Sequence, residues 1–130
     1  MPLTSSMEDY LEAVLVLQQQ KGYARCVDVA EFLNVKKPSV SRAVKELSKK
    51  KCLLKKDDGT LSLTEQGWQI AQQIYEKHQF FTRQLIEAGV PHDIAAQDAC
   101  RLEHVISETS FNKLKEAAWM KAQEVIPSEK

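Results

Sequence analysis

The chain has 130 residues, of which 43% are hydrophobic and 28% are charged, and its formal net charge is zero. This composition is ordinary for one or two small globular domains, so it excludes an intrinsically disordered chain. No stretch approaches the roughly 18 consecutive apolar residues of a transmembrane helix, and the N-terminus lacks a signal-peptide profile, so we expect a cytoplasmic protein without a membrane partner.

Two helices are predicted at the start of the chain. Apolar residues at helical spacing predict the first helix over Met7–Gln20, with Ser5 or Ser6 as its cap. Lys21-Gly22-Tyr23 ends this helix. A short second helix is then predicted over Cys26–Leu33.

The next segment has the pattern of a turn, a helix and a hairpin. Asn34–Lys37 is a predicted turn, and Pro38 suits the first position of a third helix because its missing N–H would be unsatisfied there anyway. Residues 53–56 and 60–63 are predicted strands on either side of an Asp-Gly turn. Helix, turn, helix and hairpin together predict a winged helix-turn-helix.

The second half of the chain is predicted to be helical. Thr64 is a good cap for a long helix whose apolar periodicity covers Gln69–Ile86. A further helix is predicted over Asp93–Ile106, and Ser107 or Ser110 is expected to cap a last one. The fold class is therefore mainly α, with an N-terminal winged helix-turn-helix followed by an α-helical domain.

Positive charge is concentrated where the third helix and the wing are predicted. Half of the Lys and Arg residues lie between 36 and 56, which is typical of a face that meets DNA phosphates. Arg42 is the best candidate for reading a base, because its planar fork can pair with both acceptors of a guanine, whereas lysines mostly neutralise phosphates. The candidate DNA-binding residues are Arg25, Lys36, Lys37, Pro38, Ser39, Ser41, Arg42, Lys45, Lys55 and Lys56.

Side chains that bind transition metals recur on three predicted helices. Cys100, Glu103 and His104 have the spacing i, i+3 and i+4, which places them on one face of a helix. Asp9 and Glu12 likewise share a face of the first helix. Each group alone has an ordinary explanation, such as first-turn acids that complement the helix dipole, but together they favour a metal site. The candidate ligands are Asp9, Glu12, His78, Cys100, Glu103 and His104.

Four segments of the chain resemble one known family. Residues 98–107, DACRLEHVIS, closely resemble the metal-binding helix of the diphtheria-toxin-repressor family of iron and manganese regulators. Residues 7–12 and 21–25 are similar to the start of the manganese transport regulators of that family. Residues 61–67 are similar to the end of its wing and the entry to its long helix.

The resemblance implies a homodimer that binds double-stranded operator DNA and represses metal-uptake genes when metal is plentiful. It implies that the six candidate ligands occupy metal positions. Residues 1–64 would form the winged-helix DNA-binding domain and residues 65–130 the helical metal-binding and dimerisation domain. A third, SH3-like domain is not expected. The iron branch's extra metal site is not expected either, since Ala96 and Thr82 stand where that branch supplies a His and a Glu.

The expected ligand set is a hybrid of two branches of the family. The manganese branch usually has Glu at the position of Cys100, whereas the iron branch has Cys there but lacks the acids at Asp9 and Glu12. Carboxylates suit manganese(II), while a thiolate favours iron(II), cobalt(II) or zinc(II). The set slightly favours manganese over iron, and zinc(II) or cobalt(II) are expected to substitute.

The order of the ligands along the chain predicts a mechanism. Two ligands belong to the DNA-binding half and four to the dimerising half, so a bound metal is expected to join the halves. That would fix the spacing of the two recognition helices, which must be about 34 Å for half-sites one DNA turn apart.

Other functions fit parts of the pattern. The main alternative is a winged-helix regulator that senses a small organic ligand between its helices, with Cys100 as a packing residue or a redox switch. The three cysteines are widely spaced, so they are expected to be reduced and not to form a disulfide framework. A winged helix used only for protein contacts is disfavoured by the basic run, and a solvated lysine-rich helix face is the ordinary alternative for the concentration of charge. A metalloenzyme with Glu103 as base is disfavoured, because the basic helix would have no role.

Overall fold

A computed structural model describes residues 3–125 of the chain, and residues 124 and 125 by their backbone alone. The ends of the predicted domain ranges, 1–2 and 126–130, lie outside the described residues. The described elements, in chain order, are α1 (Ser5–Lys21), α2 (Cys26–Leu33), α3 (Lys37–Lys49), β1 (Leu53–Lys55), β2 (Leu61–Leu63), α4 (Glu65–Glu87), α5 (His92–Leu102) and α6 (Glu108–Val125).

The chain divides into two compact units within α4. Unit 1 is Met1–Tyr75 and unit 2 is Glu76–Lys130. The N-terminal winged helix-turn-helix and the helical second half confirm the predicted fold class. Within the described part of the chain, no helix is long and apolar enough to cross a membrane.

Helix α1 is the most deeply buried element of unit 1. Its N-cap is Thr4, whose Oγ1 accepts a hydrogen bond from the backbone N–H of Met7 at 3.1 Å. The prediction of Ser5 or Ser6 as the cap is wrong, because both residues lie inside the first helical turn. The helix ends at Gly22, which adopts a left-handed conformation with φ 88°.

Helices α2 and α3 complete the helix-turn-helix. The backbone N–H of Arg25 donates to Oδ2 of Asp28 at 3.1 Å, which starts α2 at the predicted residue. Asn34 ends α2 in the left-handed region, with φ 57°. Helix α3 begins at Lys37, one residue earlier than predicted, so Pro38 occupies its second position rather than its first.

The predicted wing is a short antiparallel hairpin. Leu53 in β1 lies opposite Leu63 in β2, and Lys55 lies opposite Leu61. The backbone N–H of Leu61 donates to the carbonyl oxygen of Ala24 at 2.7 Å. This bond ties the hairpin to the loop that precedes α2, so the wing is held against the helix-turn-helix.

Helix α4 is the longest helix and starts earlier than its apolar periodicity predicts. Thr64 caps it as expected: its Oγ1 accepts from the backbone N–H of Gly67 at 3.0 Å and donates to the carbonyl oxygen of Lys51 at 2.7 Å. The helix begins directly after this cap, at Glu65. One side chain therefore fixes both the start of α4 and the end of the wing.

Unit 2 is built around an aromatic cluster. The rings of Phe80 and Phe111 make an edge contact with centroids 5.4 Å apart, and Phe81 lies 5.9 Å from Phe111. Phe111 is 1% exposed, and Ala99 of α5 packs in the same cluster. These contacts hold α4, α5 and α6 together.

The connection from α5 to α6 differs from the prediction. Helix α5 ends at Leu102, not at Ile106, because the backbone N–H of His104 bonds to Arg101 and not to the residue four positions back. Ser107 then caps α6 as expected, since its Oγ accepts from the backbone N–H of Ser110 at 3.1 Å. Residues 103–107 form a tight connection between the two helices.

Candidate metal centre and nucleic-acid interface

Helix α3 has one buried face and one polar face. Val40 and Leu47 are fully buried, which fixes the rotation of the helix against the rest of unit 1. Ser41, Arg42 and Lys45 lie on the opposite face and are exposed. We call these three residues the basic face. It has the accessibility that a recognition helix needs in the major groove.

A groove of about 510 Å³ runs between the basic face and the wing. Lys45 of α3 and Lys55 of β1 both line it, so the structure brings together cations from the predicted helix and the predicted wing. Ser48 and Lys49 also line the groove but were not among the predicted DNA-binding residues. Their positions seven residues after Ser41 and four after Lys45 are the helical spacing that could have identified them.

The other predicted DNA-binding residues lie away from this groove. Arg25 is exposed at the start of α2, with its guanidinium carbon 5.8 Å from the centroid of the Tyr23 ring. Lys36 and Lys37 line a separate depression at the turn between α2 and α3. The remaining members of the set are Pro38 and Lys56, which are exposed, and Ser39, which is half-buried. The DNA contacts of the whole set stay a prediction.

In unit 2, three predicted metal ligands lie together at the end of α5. The ligand atoms of Cys100, Glu103 and His104 are all within 4.8 Å of one another. Although α5 ends at Leu102, the backbone N–H of Glu103 still bonds to Ala99, so the helical path continues far enough to keep these side chains on one side.

His78 of α4 joins these three side chains. Its Nδ1 lies 2.8 Å from Oε1 of Glu103, and the Nε2 of His104 lies 3.5 Å from Oε2 of the same carboxylate. An ionised carboxylate can only accept, so the Nδ1 of His78 is the donor in this contact when Glu103 is ionised. We call His78, Cys100, Glu103 and His104 the metal cluster.

The metal cluster fits a divalent transition metal. Metal-to-ligand distances for imidazole and thiolate are about 2.0–2.3 Å, so donors on opposite sides of one ion lie roughly 4–4.6 Å apart. The ligand atoms of Cys100, Glu103 and His104 lie within 4.8 Å of one another. Only small side-chain movements would therefore bring them to these distances from one ion. Cys100, Glu103 and His104 bring a thiol, a buried carboxylate and an imidazole together, and His78 adds a second imidazole at the same carboxylate. This mixed donor set suits iron(II), cobalt(II) or zinc(II) and also accepts manganese(II).

Asp9 and Glu12 are the remaining predicted ligands. Both lie on α1 in unit 1, three residues apart and therefore on neighbouring positions of one helix face. Their role as ligands stays a prediction.

Two family profiles cover most of the chain. The profile of the "Iron dependent repressor, N-terminal DNA binding domain" matches residues 2–58. The profile of the "Iron dependent repressor, metal binding and dimerisation domain" matches residues 64–118. All predicted DNA-binding residues fall in the first match, and the whole metal cluster falls in the second.

Individual relatives agree with these profiles. The HTH-type transcriptional regulator MntR of Geobacillus kaustophilus is 34% identical over 111 residues, which are 85% of this chain and 79% of MntR. The crystal structure of T. acidophilum IdeR is 29% identical with a TM-score of 0.75, covering 90% of this chain and 55% of IdeR. The structure of the manganese regulator SloR is 27% identical with a TM-score of 0.79, covering 89% and 54%. The chain thus spans little more than half the length of these two solved chains.

Proposed function

Because the chain belongs to the iron-dependent repressor family, we propose that it binds operator DNA of metal-homeostasis genes as a homodimer and represses them when its metal is bound. It is a DNA-binding regulator and not an enzyme. Manganese(II) or iron(II) is the corepressor. The protein acts in the cytoplasm, where its operator DNA lies. We prefer this function to the alternative of a regulator that senses a small organic ligand or thiol oxidation.

The metal cluster carries the proposal. Four side chains with metal-binding chemistry converge in unit 2, inside the part of the chain that matches the family's metal-binding domain. A single histidine or cysteine at this position would have an ordinary structural explanation. Two imidazoles against one buried carboxylate, with a thiol beside it, are difficult to explain by packing alone.

The ligands we propose are the metal cluster together with Asp9 and Glu12, which the family likeness adds. When bound, the ion supplies positive charge that the buried carboxylate of Glu103 and the thiol of Cys100 can share as anions. Carboxylates favour manganese(II), and the similar SloR is a manganese regulator, so we place manganese(II) slightly ahead of iron(II).

The basic face is the part of the molecule that we propose reads DNA. With α3 in the major groove, Arg42 would pair with a guanine, while Lys45 and Lys55, which share one groove of the protein, would contact phosphates. The other predicted residues, Arg25, Lys36, Lys37, Pro38, Ser39, Ser41 and Lys56, would position the duplex.

One binding experiment tests the proposal. Operator sequences are first selected from a random DNA library with manganese(II) present, and affinity is then measured by fluorescence anisotropy at fixed salt. Metal should raise the affinity roughly 5- to 150-fold, the range of ordinary allosteric coupling. His104→Ala should remove this gain. His92→Ala is the matched control, because His92 is an exposed histidine at the start of α5.

The same experiment can contradict the proposal. Operator binding that is equally tight with and without manganese(II) and iron(II) would exclude a metal-dependent repressor. Loss of the metal effect in the His92 variant as well would show that the cluster is not its source.

A further inference from the structure

Lys77 is buried although its side chain carries a charge. The residue is 7% exposed, and its Nζ lies 3.2 Å from Oε2 of Glu108, whose side chain is 55% exposed. Burying a lysine is costly unless the ammonium is paired, so this contact accounts for how the charge is tolerated in the core of unit 2.

Lys77 and its neighbour His78 reach the two ends of the same segment. His78 contacts Glu103 at 2.8 Å, where α5 has just ended, and Lys77 contacts Glu108, the first residue of α6. The segment 103–108 is therefore held at both ends by consecutive residues of α4. It carries two members of the metal cluster, Glu103 and His104.

The backbone hydrogen bonds of residues 104–106, in the middle of this segment, are long, whereas the N–H of Glu103 is held at 2.9 Å from the carbonyl oxygen of Ala99. The N–H of His104 lies 3.4 Å from its acceptor, and the N–H groups of Val105 and Ile106 lie 3.2 and 3.3 Å from the carbonyl oxygen of Leu102. These distances are at or beyond the upper end of the normal range for N–H···O bonds. Val105 is also 78% exposed, so its side chain adds little packing.

We propose that Lys77 is a positioning residue for the metal cluster, because its ion pair with Glu108 fixes the segment that carries Glu103 and His104. This inference rests on the metal-binding function proposed above. Groups that hydrogen-bond to metal ligands change metal affinity about 10- to 100-fold when they are removed. Lys77 acts one contact further out, through Glu108, so we expect an effect at the lower end of that range. Removing the Lys77 ammonium should therefore weaken metal binding without removing a ligand.

A second ion pair provides a matched control. Lys115 of α6 lies 2.8 Å from Glu76 of α4, so this pair joins the same two helices. The Nζ atoms of Lys77 and Lys115 lie 5.8 and 4.9 Å from the centroid of the Phe111 ring. Lys115, however, lies seven residues beyond Glu108 in α6, and its ion pair is with Glu76 of α4. The Lys77 side chain is 9% exposed and that of Lys115 is 37% exposed, so a purely structural role predicts effects on stability for both, larger for Lys77. Positioning predicts in addition a loss of metal affinity for Lys77 alone.

The experiment compares Lys77→Met, Lys77→Arg and Lys115→Met with the unaltered full chain. Manganese(II) affinity is measured from the electron paramagnetic resonance signal of free manganese, and thermal unfolding is measured without metal. We expect Lys77→Met to weaken manganese(II) binding about 10-fold, Lys115→Met to weaken it less than 2-fold, and Lys77→Arg to restore most of the affinity.

Hydrogen exchange of the metal-free protein gives a readout that does not depend on metal. The amides of residues 104–107 should exchange faster in Lys77→Met than in Lys115→Met. If the unaltered chain binds no metal, the proposed function fails, and the exchange result alone decides whether Lys77 holds the segment.

Two results would overturn the inference. One is an equal loss of manganese(II) affinity in Lys77→Met and Lys115→Met, and the other is unchanged exchange of residues 104–107. If Lys77→Met does not fold, Glu108→Gln removes the same pair from its half-exposed side, and the same two criteria apply to it.

Discussion

Gly67, in the first turn of α4, packs directly against the carbonyl group of Cys52. A methyl group at this position would overlap the carbonyl oxygen. The same oxygen accepts a hydrogen bond from the backbone N–H of Thr64 at 3.1 Å, so it cannot move away without breaking the junction between wing and helix.

We predict that Gly67→Ala destabilises the protein. Alanine gains about 1 kcal/mol in helix propensity, but overlap with rigid backbone costs about 1–3 kcal/mol, so the overlap should win. The free energy of unfolding, measured by urea denaturation, should fall by up to about 2 kcal/mol. Gln69→Ala, an exposed change in the same helix, is the control and should alter stability by less than about 0.5 kcal/mol. A Gly67 variant more stable than the parent would refute the close contact.

The basic face leads to a prediction about specificity. Arg42→Ala should cost about 1–3 kcal/mol of operator affinity and relax the preference at one base pair, because a guanidinium can pair with a guanine. Lys45→Ala should weaken binding to all sequences alike. It should also reduce the slope of log affinity against log salt concentration by about one. Anisotropy with matched and mutated operators separates these effects. Lys121→Ala, on α6, is the control. The assigned roles are wrong if both α3 variants lose specificity equally.

Much of the fold could be predicted because it follows from the pattern of residues within single helices and strands. Val40, Val44 and Leu47 recur once per helical turn, and the structure buries all three. The end of α5 could not be predicted, because neither glycine nor proline occurs between Cys100 and Ser107. Val105 falls within the predicted helix, yet it lies in the connection to α6 and is exposed.

The candidate site also has a part that the sequence could predict and a part that it could not. Cys100, Glu103 and His104 could be grouped from their spacing, because they are neighbours along one stretch of backbone. The contact between His78 and Glu103 spans 25 residues, and it depends on how α4 packs against α5. Spacing gives no information about such packing, so the sequence could offer His78 as a candidate ligand but could not place it beside Glu103. The pair of Lys77 with Glu108 was not predicted for the same reason.

Acid should weaken unit 1 through Asp28. The ammonium of Lys21 donates a hydrogen bond to this carboxylate and, with the backbone N–H of Arg25, holds the pKa of Asp28 below its ordinary value. A group whose pKa is lower in the folded state stabilises the protein above its unfolded pKa of about 3.9. That stabilisation is lost as the pH falls through the lower folded value.

We therefore predict that Asp28→Asn lowers the thermal unfolding midpoint at pH 7 but has little effect below the folded pKa. The difference between parent and variant should shrink as the pH falls below about 4. Asp57→Asn, an exposed aspartate of the wing, should leave the pH profile close to that of the parent. A midpoint difference that stays constant down to pH 2 would mean that Asp28 acts through something other than its charge.

The last prediction concerns the choice of metal, because Cys100 is the soft donor in a cluster whose other members are imidazoles and a carboxylate. If Cys100 binds the ion, the cobalt(II) complex should show a thiolate-to-cobalt charge-transfer band in the near ultraviolet, and Cys100→Ser should remove it. Cys26→Ser is the control, since Cys26 is a half-buried cysteine of unit 1 that lines the groove beside Lys45, and it should keep the band. Cys100→Glu replaces the thiolate with a hard oxygen donor, so the ratio of manganese(II) to zinc(II) affinity, measured by competition, should rise. A band that survives Cys100→Ser would exclude Cys100 from the metal's ligands. An unchanged affinity ratio in Cys100→Glu would show that the other donors, and not the thiol, decide which metal activates the protein.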